Sequence, residues 1–407
     1  MISEHASPLA TLGGEDSGGQ NVYVAELARR LGAMGYQVDV FTRRDSALLP
    51  AVVAFAEGVR VVSLPAGPAK RVPKDELLPF LAEFRDGFYR FAEEESTAYD
   101  LVHANFWMSG WVACEAKRDL GLPFAQTFHA LGEIKRREQG DADTSPPERR
   151  AVELRILGEA DRVLATCSAE VDELTELYGA DPSRLVIVPC GVDPEVFRPV
   201  DRKEAQTALG LQDRPTVVYV GRIVPRKGVD TLVEAFALLP RHLGARLIIV
   251  GGEPKASPEA MRLSTLARKL GVAGQVVFAG SRPQGDLRHY YGAADAAVSV
   301  PHYEPFGMTP LEAMACATPV VGSRVGGIKT SVADGETGYL VPPKNPEVLA
   351  YHLLRLLSEP GQRDRMGRAA RRRIEEQYTW ERVASLAAAS YSKIAREAAT
   401  PRATGIA

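Results

Sequence analysis

The sequence predicts an α/β protein built from two doubly wound parallel-sheet domains, and three observations carry this prediction. The 407 residues exceed what one ordinary core holds, so two domains are expected. Short apolar runs alternate with amphipathic stretches along the chain, which is typical of βαβ units. A polar segment with two prolines and a glycine, residues 193–214, separates two such series and is interpreted as the linker between the domains. We therefore expect domains over residues 1–195 and 196–379, followed by a terminal helical segment over 380–407.

The first series predicts buried strands and one long amphipathic helix. Over residues 74–95, apolar side chains recur at three-four spacing and mark one helical face. Only Met1, Ile2 and Ser3 are available for a strand before the glycine-rich segment. Either that strand is very short, or the natural start lies upstream of Met1. The predicted strands of this series are 38–42, 59–64, 101–104, 124–128 and 162–167.

The second series begins with the apolar run that ends at Gly221. Each of its runs is followed by turn residues and then by helix formers, which indicates a second parallel sheet. A last helix is predicted over residues 380–396. The predicted strands of this series are 216–221, 246–251, 276–280, 296–301 and 319–323.

Composition and charge exclude several classes of protein. The net charge of −3 gives no electrostatic basis for nucleic-acid binding, so any phosphate recognition must be local. We found no signal peptide and no apolar stretch near the roughly 20 residues of a membrane span, and we expect a cytoplasmic protein. The arginine-rich stretch 363–373 is interrupted by acidic residues, which favours a solvated helix over a membrane contact. The four cysteines have no Cys-x-x-Cys pair, so buried thiols are expected.

A strand, a tight turn and a helix start follow one another around "EPFGMTPLE", which runs from Glu304 to Glu312. Pro310 suits a first helical turn, and helix formers continue after it. Helix N-termini at the carboxyl ends of parallel strands bind anions. Because carboxylates would repel a phosphate, Glu304 and Glu312 are better suited to accept hydrogen bonds from hydroxyl groups. Hydroxyl groups beside a phosphate indicate a sugar nucleotide.

Arg222 and Lys227 follow the first strand of the second series, in "GRIVPRKG". Arginine can bind two phosphate oxygens at once and lysine acts as a point charge, so the pair suits a pyrophosphate. The alternative is that both are ordinary surface cations. Their position at the carboxyl end of a strand favours a site.

Glycine pairs and one histidine mark the first series. Gly13-Gly14 and Gly18-Gly19 flank an acidic loop, and glycine allows a backbone to approach a ligand closely. The spacing is not that of a dinucleotide fingerprint, and a plain flexible loop is the alternative. His129 ends a predicted strand in "FHALG", where its position favours a site over a structural histidine.

Four stretches together resemble glycosyltransferase family 4 (GT4), a family of retaining enzymes with the GT-B fold. They are "GGEDSGGQNVYVAELARRL", "TFHALGEIKRR", "VGRIVPRKGVDTLVEAF" and "EPFGMTPLEAMACATPVVGSRVGGIKTSVADGETGYLVPP". The resemblance implies two Rossmann-like domains with a deep interdomain cleft. The N-terminal domain would bind the acceptor, the C-terminal domain would bind the nucleotide sugar, and the last helix would cross back to the N-terminal domain.

The resemblance also assigns roles within the donor site. Glu312 matches the residue that receives the ribose hydroxyls, and Glu304 the residue that binds a hydroxyl of the donor sugar. Base contacts in the family are largely made by backbone, here near Arg282. The implied catalytic residues are His129, Glu304, Arg222 and Lys227. The implied donor-binding residues are Gly19, Arg222, Lys227, Arg282, Glu304, Phe306, Gly307, Met308, Thr309 and Glu312.

The chain is most similar to the branch that holds sucrose-phosphate synthases and the inositol-phosphate N-acetylglucosaminyltransferase of mycothiol synthesis. In that branch the acceptor is phosphorylated, and the matching cations are Lys74 and Arg149, with Asn21 as a polar contact. Two departures remove hydroxyl groups, since Phe106 stands for tyrosine and Ala130 for threonine. Either the phosphate is held less completely, or the acceptor carries none. The alternative is that Lys74 and Arg149 are ordinary helix-surface cations.

The implied reaction is transfer of a sugar from a UDP-, GDP- or ADP-sugar to an acceptor hydroxyl, with retention at the anomeric carbon. No cofactor or metal is expected, because cationic side chains stabilise the leaving phosphate. The expected partners are small molecules only, and the chain would be a monomer or a homodimer. The alternatives are a nucleotide-sugar epimerase, a phosphorylase on a GT-B scaffold, or a non-catalytic sugar-nucleotide binding protein.

Overall fold

The computed structural model describes residues 1–10, 18–252 and 257–399, and the chain folds into two compact units. Unit 1 comprises residues 1–189 together with 380–407. Unit 2 comprises residues 190–379. The chain therefore leaves unit 1 after Pro189, a few residues before the boundary after residue 195 that the sequence suggested. It returns to unit 1 at Trp380, where the terminal segment was predicted to begin.

Most predicted strands lie within a residue or two of their predicted bounds. The observed strands, of which β2, β7 and β13 were not predicted, are β1 Val38–Arg43, β2 Val52–Ala56, β3 Val59–Leu64, β4 Val102–Asn105, β5 Phe124–Thr127, β6 Arg162–Ala165, β7 Leu185–Ile187, β8 Thr216–Val220, β9 Arg246–Val250, β10 Val276–Gly280, β11 Ala296–Ser299, β12 Val320–Ser323 and β13 Gly338–Val341.

The helices alternate with the strands in both units. They are α1 Gly19–Ala33, α2 Leu81–Glu94, α3 Trp107–Leu120, α4 Gly132–Gln139, α5 Arg149–Glu159, α6 Ser168–Tyr178, α7 Arg202–Ala208, α8 Val229–Ala237, α9 Pro258–Lys269, α10 Leu287–Gly292, α11 Met308–Ala315, α12 Ile328–Ser331, α13 Pro346–Ser358, α14 Pro360–Gln377 and α15 Trp380–Ala399.

Unit 1 contains two groups of paired strands that one residue links. β1, β3 and β2 are neighbours in that order, with β2 antiparallel, while β4 to β7 pair in parallel. Ile2 makes parallel bridges to Phe41 of β1 and to Ala104 of β4. The segment before the glycine-rich region thus contributes a single bridging residue to the described strands.

Unit 2 is one parallel sheet with strand order β10-β9-β8-β11-β12-β13. Counted from the first strand of the unit, this order is the doubly wound 3-2-1-4-5-6 arrangement. The order reverses between β8 and β11, which pair directly through Val217 and Ala296. In such sheets ligands bind outside the carboxyl ends of the strands at this reversal. The loops that follow β8 and β11 are therefore where a site is expected.

The segment 193–214 is a folded part of unit 2, so its interpretation as a linker is wrong. It contains α7 and the fully buried Phe197. Arg202 at the start of α7 binds both carboxylate oxygens of Asp295, at 2.8 and 3.1 Å. A polar sequence with prolines suggested exposure, but these contacts fix the segment to its unit.

The predicted helix 74–95 is also shorter than expected. Its first part forms two 3-10 turns, Lys74–Glu76 and Leu78–Phe80, and the α-helix begins only at Leu81. Pro79 explains the interruption, because proline has no backbone N–H to donate within a helix. The three-four spacing of apolar residues continued through the break and concealed it.

The arginine-rich helix α14 is only partly solvated. Arg371 donates to the backbone carbonyls of Pro194, Phe197 and Ala315, and Arg373 donates to those of Thr330 and Ser331. These side chains therefore hold unit 2 together. The exposed arginines of the helix are Arg365, Arg368 and Arg372.

Two further expectations concern cysteines and membrane spans. The prediction of buried thiols is confirmed, because Cys114, Cys167, Cys190 and Cys316 are all buried and none forms a disulfide bond among the described residues. Across the helices that the structure describes, none combines the length and apolar character that a bilayer crossing requires.

Candidate active site

Two loops of unit 2 bring a predicted cation and a predicted carboxylate into contact. Lys227 lies in the 3-10 turn Pro225–Lys227 that follows β8, and Glu304 lies in the turn that follows β11. Because β8 and β11 are neighbours, their loops meet, and Nζ of Lys227 forms an ion pair with Oε2 of Glu304. Both side chains are largely buried, at 22% and 14% exposure.

The charge state of Glu304 follows from its neighbours. Burial raises the pKa of this carboxyl group, but the positive charges of Lys227, Arg226 and Arg222 outweigh burial and leave the pKa below its ordinary value. Glu304 is therefore ionised at neutral pH. An ionised carboxylate can accept hydrogen bonds from sugar hydroxyls, and the nearby cations can bind an anion.

The turn after β11 depends on glycines that face it. Gly326 has a φ of +42°, and a Cβ at this position would lie 1.7 Å from the carbonyl oxygen of Glu304. A Cβ at Gly327 would lie 2.5 Å from the carbonyl oxygen of Phe306. The two backbones also bond directly, because the N–H of Gly327 donates to Pro305 at 3.0 Å. Only glycine allows the two loops to approach so closely.

We expect Gly326→Ala to displace the turn that carries Glu304. The substitution should destabilise unit 2 by more than about 1 kcal/mol, because both the positive φ and the clash with backbone oppose it. Gly285→Ala is the matched control, since a Cβ at Gly285 would meet nothing within 4 Å. Urea unfolding of both variants checks this, and equal midpoints for the two would contradict the role given to Gly326.

Helix α11 begins directly after this turn and presents its N-terminus there. Its N-cap is Gly307, which has no side chain to cap the helix. The first N–H groups of a helix have no partner within the helix. The backbone of Met308 and Thr309 is therefore arranged as in anion sites at helix N-termini.

Glu312 lies one turn into α11 and is 8% exposed. The hydroxyl of Tyr291 donates to its Oε2 at 2.9 Å. Burial raises the pKa of Glu312 to about 7, and the hydrogen bond from Tyr291 offsets only part of this rise. Its charge therefore changes near neutral pH, in contrast with that of Glu304.

The remaining donor-site cations lie at the carboxyl ends of other strands. Arg222 follows β8 with an exposed side chain, and its carbonyl oxygen accepts a 2.8 Å hydrogen bond from Tyr219. Arg282 follows β10 and is also exposed. The structure thus brings Arg222, Lys227 and Glu304 together, while the position of Arg282 is consistent with a contact made by backbone.

In unit 1, His129 follows β5 and is held in a fixed orientation. Its Nε2 lies 3.0 Å from Oδ1 of Asn105, and its ring packs edge-to-face against Tyr23 at 4.9 Å. Burial, with a smaller effect from the charge of His5, lowers the pKa of His129 to about 3. The imidazole is therefore neutral at physiological pH and can exchange hydrogen bonds without carrying charge.

A buried carboxylate beside His5 is a feature that the sequence did not indicate. Oε1 of Glu4 lies 2.6 Å from Nδ1 of His5, and Ser109 donates its hydroxyl to Oε2 of Glu4. Glu4 is 1% exposed, and the ring of His5 packs against Phe106 at 4.8 Å. The only available signal was a glutamate in a short segment that is otherwise apolar or small.

Arg149 is buried, so the alternative that it is a surface cation is wrong. Its Nε donates to Glu153 at 2.8 Å and its Nη2 to the carbonyl of Ala130 at 2.6 Å. The guanidinium also lies 5.0 Å from the ring centre of Phe106. Arg149 therefore contacts both Phe106 and Ala130, the two positions at which the sequence departs from the pattern that the resemblance implies for a phosphorylated acceptor. Its role toward a phosphate remains a prediction.

Asn21 and Lys74 lie in different surroundings. The Oδ1 of Asn21 accepts from the N–H of Gly18 and its Nδ2 donates to Ser7, both at 2.9 Å, so its side chain fixes the start of α1. Lys74 begins the 3-10 turn that precedes α2 and is half-buried. Gly19 is the first residue of α1, whereas Gly13 and Gly14 lie outside the described residues.

Within the described residues, no group of three or more histidine, cysteine or acidic side chains is arranged to hold a metal ion. The expectation that the reaction needs no metal remains a prediction.

Family profiles match both halves of the chain. "Glycosyltransferase Family 4" matches residues 17–196 and "Glycosyl transferases group 1" matches residues 201–373. The D-inositol 3-phosphate glycosyltransferase of Acidothermus cellulolyticus is 42% identical over 91% of this chain and 84% of its own. The enzyme of the same name from Actinosynnema mirum is 40% identical over 97% of this chain and 96% of its own.

Solved structures agree with this result. The sucrose-phosphate synthase (tll1590) of Thermosynechococcus elongatus superposes with a TM-score of 0.89 at 35% identity, over 97% of this chain and 98% of that one. Anabaena Alr3699/HepE, solved with UDP and glucose, has a TM-score of 0.76 at 21% identity, over 96% and 98%, and shows the shared fold. The chain therefore belongs to glycosyltransferase family 4, and it is a nucleotide-sugar-dependent glycosyltransferase with the GT-B fold.

Proposed function

We propose that this enzyme transfers a sugar, with retention of anomeric configuration, from a nucleoside-diphosphate sugar to a hydroxyl group of a phosphorylated cyclitol or sugar. The observation that carries the donor half is the contact between Lys227 and Glu304 beside the N-terminus of α11. At the strand reversal of unit 2, Lys227 thus supplies a cation and Glu304 supplies a carboxylate that can accept from hydroxyl groups. The first N–H groups of α11 lie beside them.

The diphosphate, the sugar and the ribose of the nucleotide-sugar donor each have a chemically matched partner in unit 2. Lys227 and Arg222 carry positive charge for the diphosphate, and the N–H groups that begin α11 supply further donors to its oxygens. Glu304 and Glu312 accept from the hydroxyls of the sugar and the ribose. In this proposal the cations stabilise the leaving diphosphate, which is the part a metal ion plays in other transferases.

The phosphorylated acceptor is supported by the relatives and by unit 1. The names of the two sequence relatives state D-inositol 3-phosphate as the acceptor, and that of the structural relative a sucrose-phosphate product. Lys74 supplies a half-buried cation, while Arg149 supplies one that Glu153 already balances. We therefore propose that Lys74 contributes more to phosphate binding than Arg149 does. Arg149 instead holds Ala130 and Phe106 in position through its contacts with them.

His129 serves this reaction as a neutral hydrogen-bonding group. Asn105 orients the ring, and burial keeps it uncharged. A neutral imidazole can exchange hydrogen bonds with a sugar hydroxyl without carrying charge. We also propose a cytoplasmic location, because cysteines outside disulfide bonds, such as the four buried ones, are usual in reducing compartments.

The experiment is a two-stage substrate screen. Thermal shifts with UDP-, GDP- and ADP-sugars identify the donor, since a ligand at 100 times its Kd adds about 2.7 kcal/mol of stability. Release of nucleoside diphosphate is then measured with D-inositol 3-phosphate, with free inositol and without acceptor. We expect release that depends on the phosphorylated acceptor. Equal release with free inositol would contradict the phosphate assignment, and no response to any donor would contradict the proposed function.

A further inference from the structure

Tyr291 is held rigidly next to Glu312. It lies in α10, its side chain is almost fully buried, and its ring packs edge-to-face against Phe197 at 6.4 Å. Its carbonyl oxygen accepts a 2.9 Å hydrogen bond from the hydroxyl of Thr318. The ring and the backbone are thus fixed, and the hydroxyl lies 2.9 Å from Oε2 of Glu312, with the carbonyl oxygen of Thr309 as a more distant acceptor at 3.5 Å.

The two oxygens of Glu312 are therefore not equivalent. Oε2 is occupied by Tyr291, whereas Oε1 has no hydrogen-bond partner among the residues that the structure describes. A carboxylate whose rotation is stopped on one side presents its other oxygen in a fixed direction. Such preorganisation reduces the entropy lost when a ligand binds.

We propose that Tyr291 is a positioning residue, whose hydroxyl orients the Glu312 carboxylate to accept from the ribose of the donor and sets the pH at which donor binding weakens. This inference rests on the proposed function, because it uses the same nucleotide site. The occupant of that site is a nucleoside diphosphate, with or without its sugar.

The pH dependence has a defined direction. Burial raises the pKa of Glu312 to about 7, and the hydrogen bond from Tyr291 counteracts part of the rise. The carboxylate form accepts hydrogen bonds from hydroxyls without restriction, so donor affinity should decrease as pH falls through about 7. Without the Tyr291 hydroxyl the pKa of Glu312 rises further, and the loss of affinity moves to higher pH.

Other titratable groups near this pair do not titrate in the same range. Cys316, one turn further along α11, has a thiol whose pKa burial and the charge of Glu312 raise. Tyr291 itself has a pKa far above its ordinary value because of burial and Glu312, and Tyr219 contributes to the same rise. The arginines that act on this region, Arg288 of α10 and Arg371 of α14, affect Cys316. A transition near pH 7 that Glu312→Gln lacks therefore reports on Glu312.

The test titrates UDP, GDP and ADP into wild type and Tyr291→Phe between pH about 6 and about 9 by calorimetry. We expect the best-binding nucleotide to lose about 3- to 10-fold in affinity to the variant near neutral pH, which corresponds to the net free energy of one ordinary hydrogen bond. The loss should shrink toward pH 9. Turnover at saturating donor should change less than the donor KM does.

Two further variants keep the test decisive. Tyr290→Phe is the matched control, because Tyr290 is the neighbouring buried tyrosine of α10 and its hydroxyl does not contact Glu312. Glu312→Gln should bind weakly and retain only the pH dependence of the nucleotide's own terminal phosphate, which tests the inference even if Tyr291→Phe does not fold. If Tyr291→Phe binds the nucleotide with wild-type affinity and a wild-type pH profile, the role of Tyr291 is overturned, while the proposed function is not. Absence of nucleotide binding to wild type would overturn the proposed function as well.

Discussion

Replacing Lys227 with alanine should lower kcat by about 10²- to 10³-fold, as the loss of one preorganised donor to a developing anion does. Lys227 is the cation that the β8 loop brings into direct contact with Glu304. Its charge stabilises the leaving diphosphate most in the transition state, so kcat should fall more than donor binding weakens. Steady-state kinetics with the donor found in the screen measures both quantities.

Arg226→Ala is the matched control for this variant. Arg226 lies in the same 3-10 turn and also acts on the charge of Glu304, but it makes no direct ion pair with that carboxylate among the described residues. We expect its kcat to stay within about 5-fold of wild type, as for a partly exposed charge. Wild-type turnover in Lys227→Ala, or equal losses in both variants, would remove Lys227 from its proposed role.

Replacing Arg149 with alanine should destabilise the protein by about 3–5 kcal/mol, because it leaves a buried carboxylate without its cation. Glu153 is fully buried, and its other partners are the N–H of Gly132 and the hydroxyl of Tyr178. Neither of them carries a positive charge. Guanidinium unfolding, followed by circular dichroism, measures the loss.

Lys74→Ala separates phosphate binding from this structural role. Lys74 begins a short turn and is half-buried, so its removal should change the free energy of unfolding by no more than about 0.5 kcal/mol. Its loss should instead raise the KM for a phosphorylated acceptor about tenfold, with no change for an unphosphorylated one. Unchanged kinetics for both acceptors would show that Lys74 does not bind the phosphate.

Much of unit 2 was predictable because its signals are local. The strands β8 and β11 are continuous apolar runs, and the residues after each one suit a nucleotide. Parallel strands place such loops at the same sheet edge, so the proximity of Lys227 and Glu304 followed from strand order alone. The turn glycines that allow the contact are also visible in the sequence, although their partners are not.

Other parts were not predictable, because they depend on contacts between distant segments. Glu4 is bound by Ser109, and Glu312 by Tyr291, in pairs whose members lie far apart in the chain. No periodicity or motif connects such residues. The alternative that Arg149 is a surface cation stayed open because the sequence does not show that Ala130 and Phe106 contact it.

The missed strands have a physical reason as well. β2 and β7 are apolar in sequence, but they have only five and three residues and are partly exposed, so little in their sequences distinguishes them from apolar loop segments. β13 has four residues and begins with Gly338, which weakens the signal of a strand. Short edge strands of this kind are defined by their neighbours rather than by their own composition.

The central claim is that the enzyme moves an intact sugar from a nucleotide to a phosphorylated acceptor, and the structure of the product tests it most directly. The donor is prepared with a ¹³C label at its anomeric carbon and incubated with D-inositol 3-phosphate, and the mixture is analysed by NMR and mass spectrometry. We predict one product that carries the labelled sugar and the phosphate together, with the anomeric configuration of the donor. Labelled epimerised nucleotide sugar, labelled sugar phosphate or unchanged donor would contradict the claim and favour an epimerase, a phosphorylase or a binding protein, respectively.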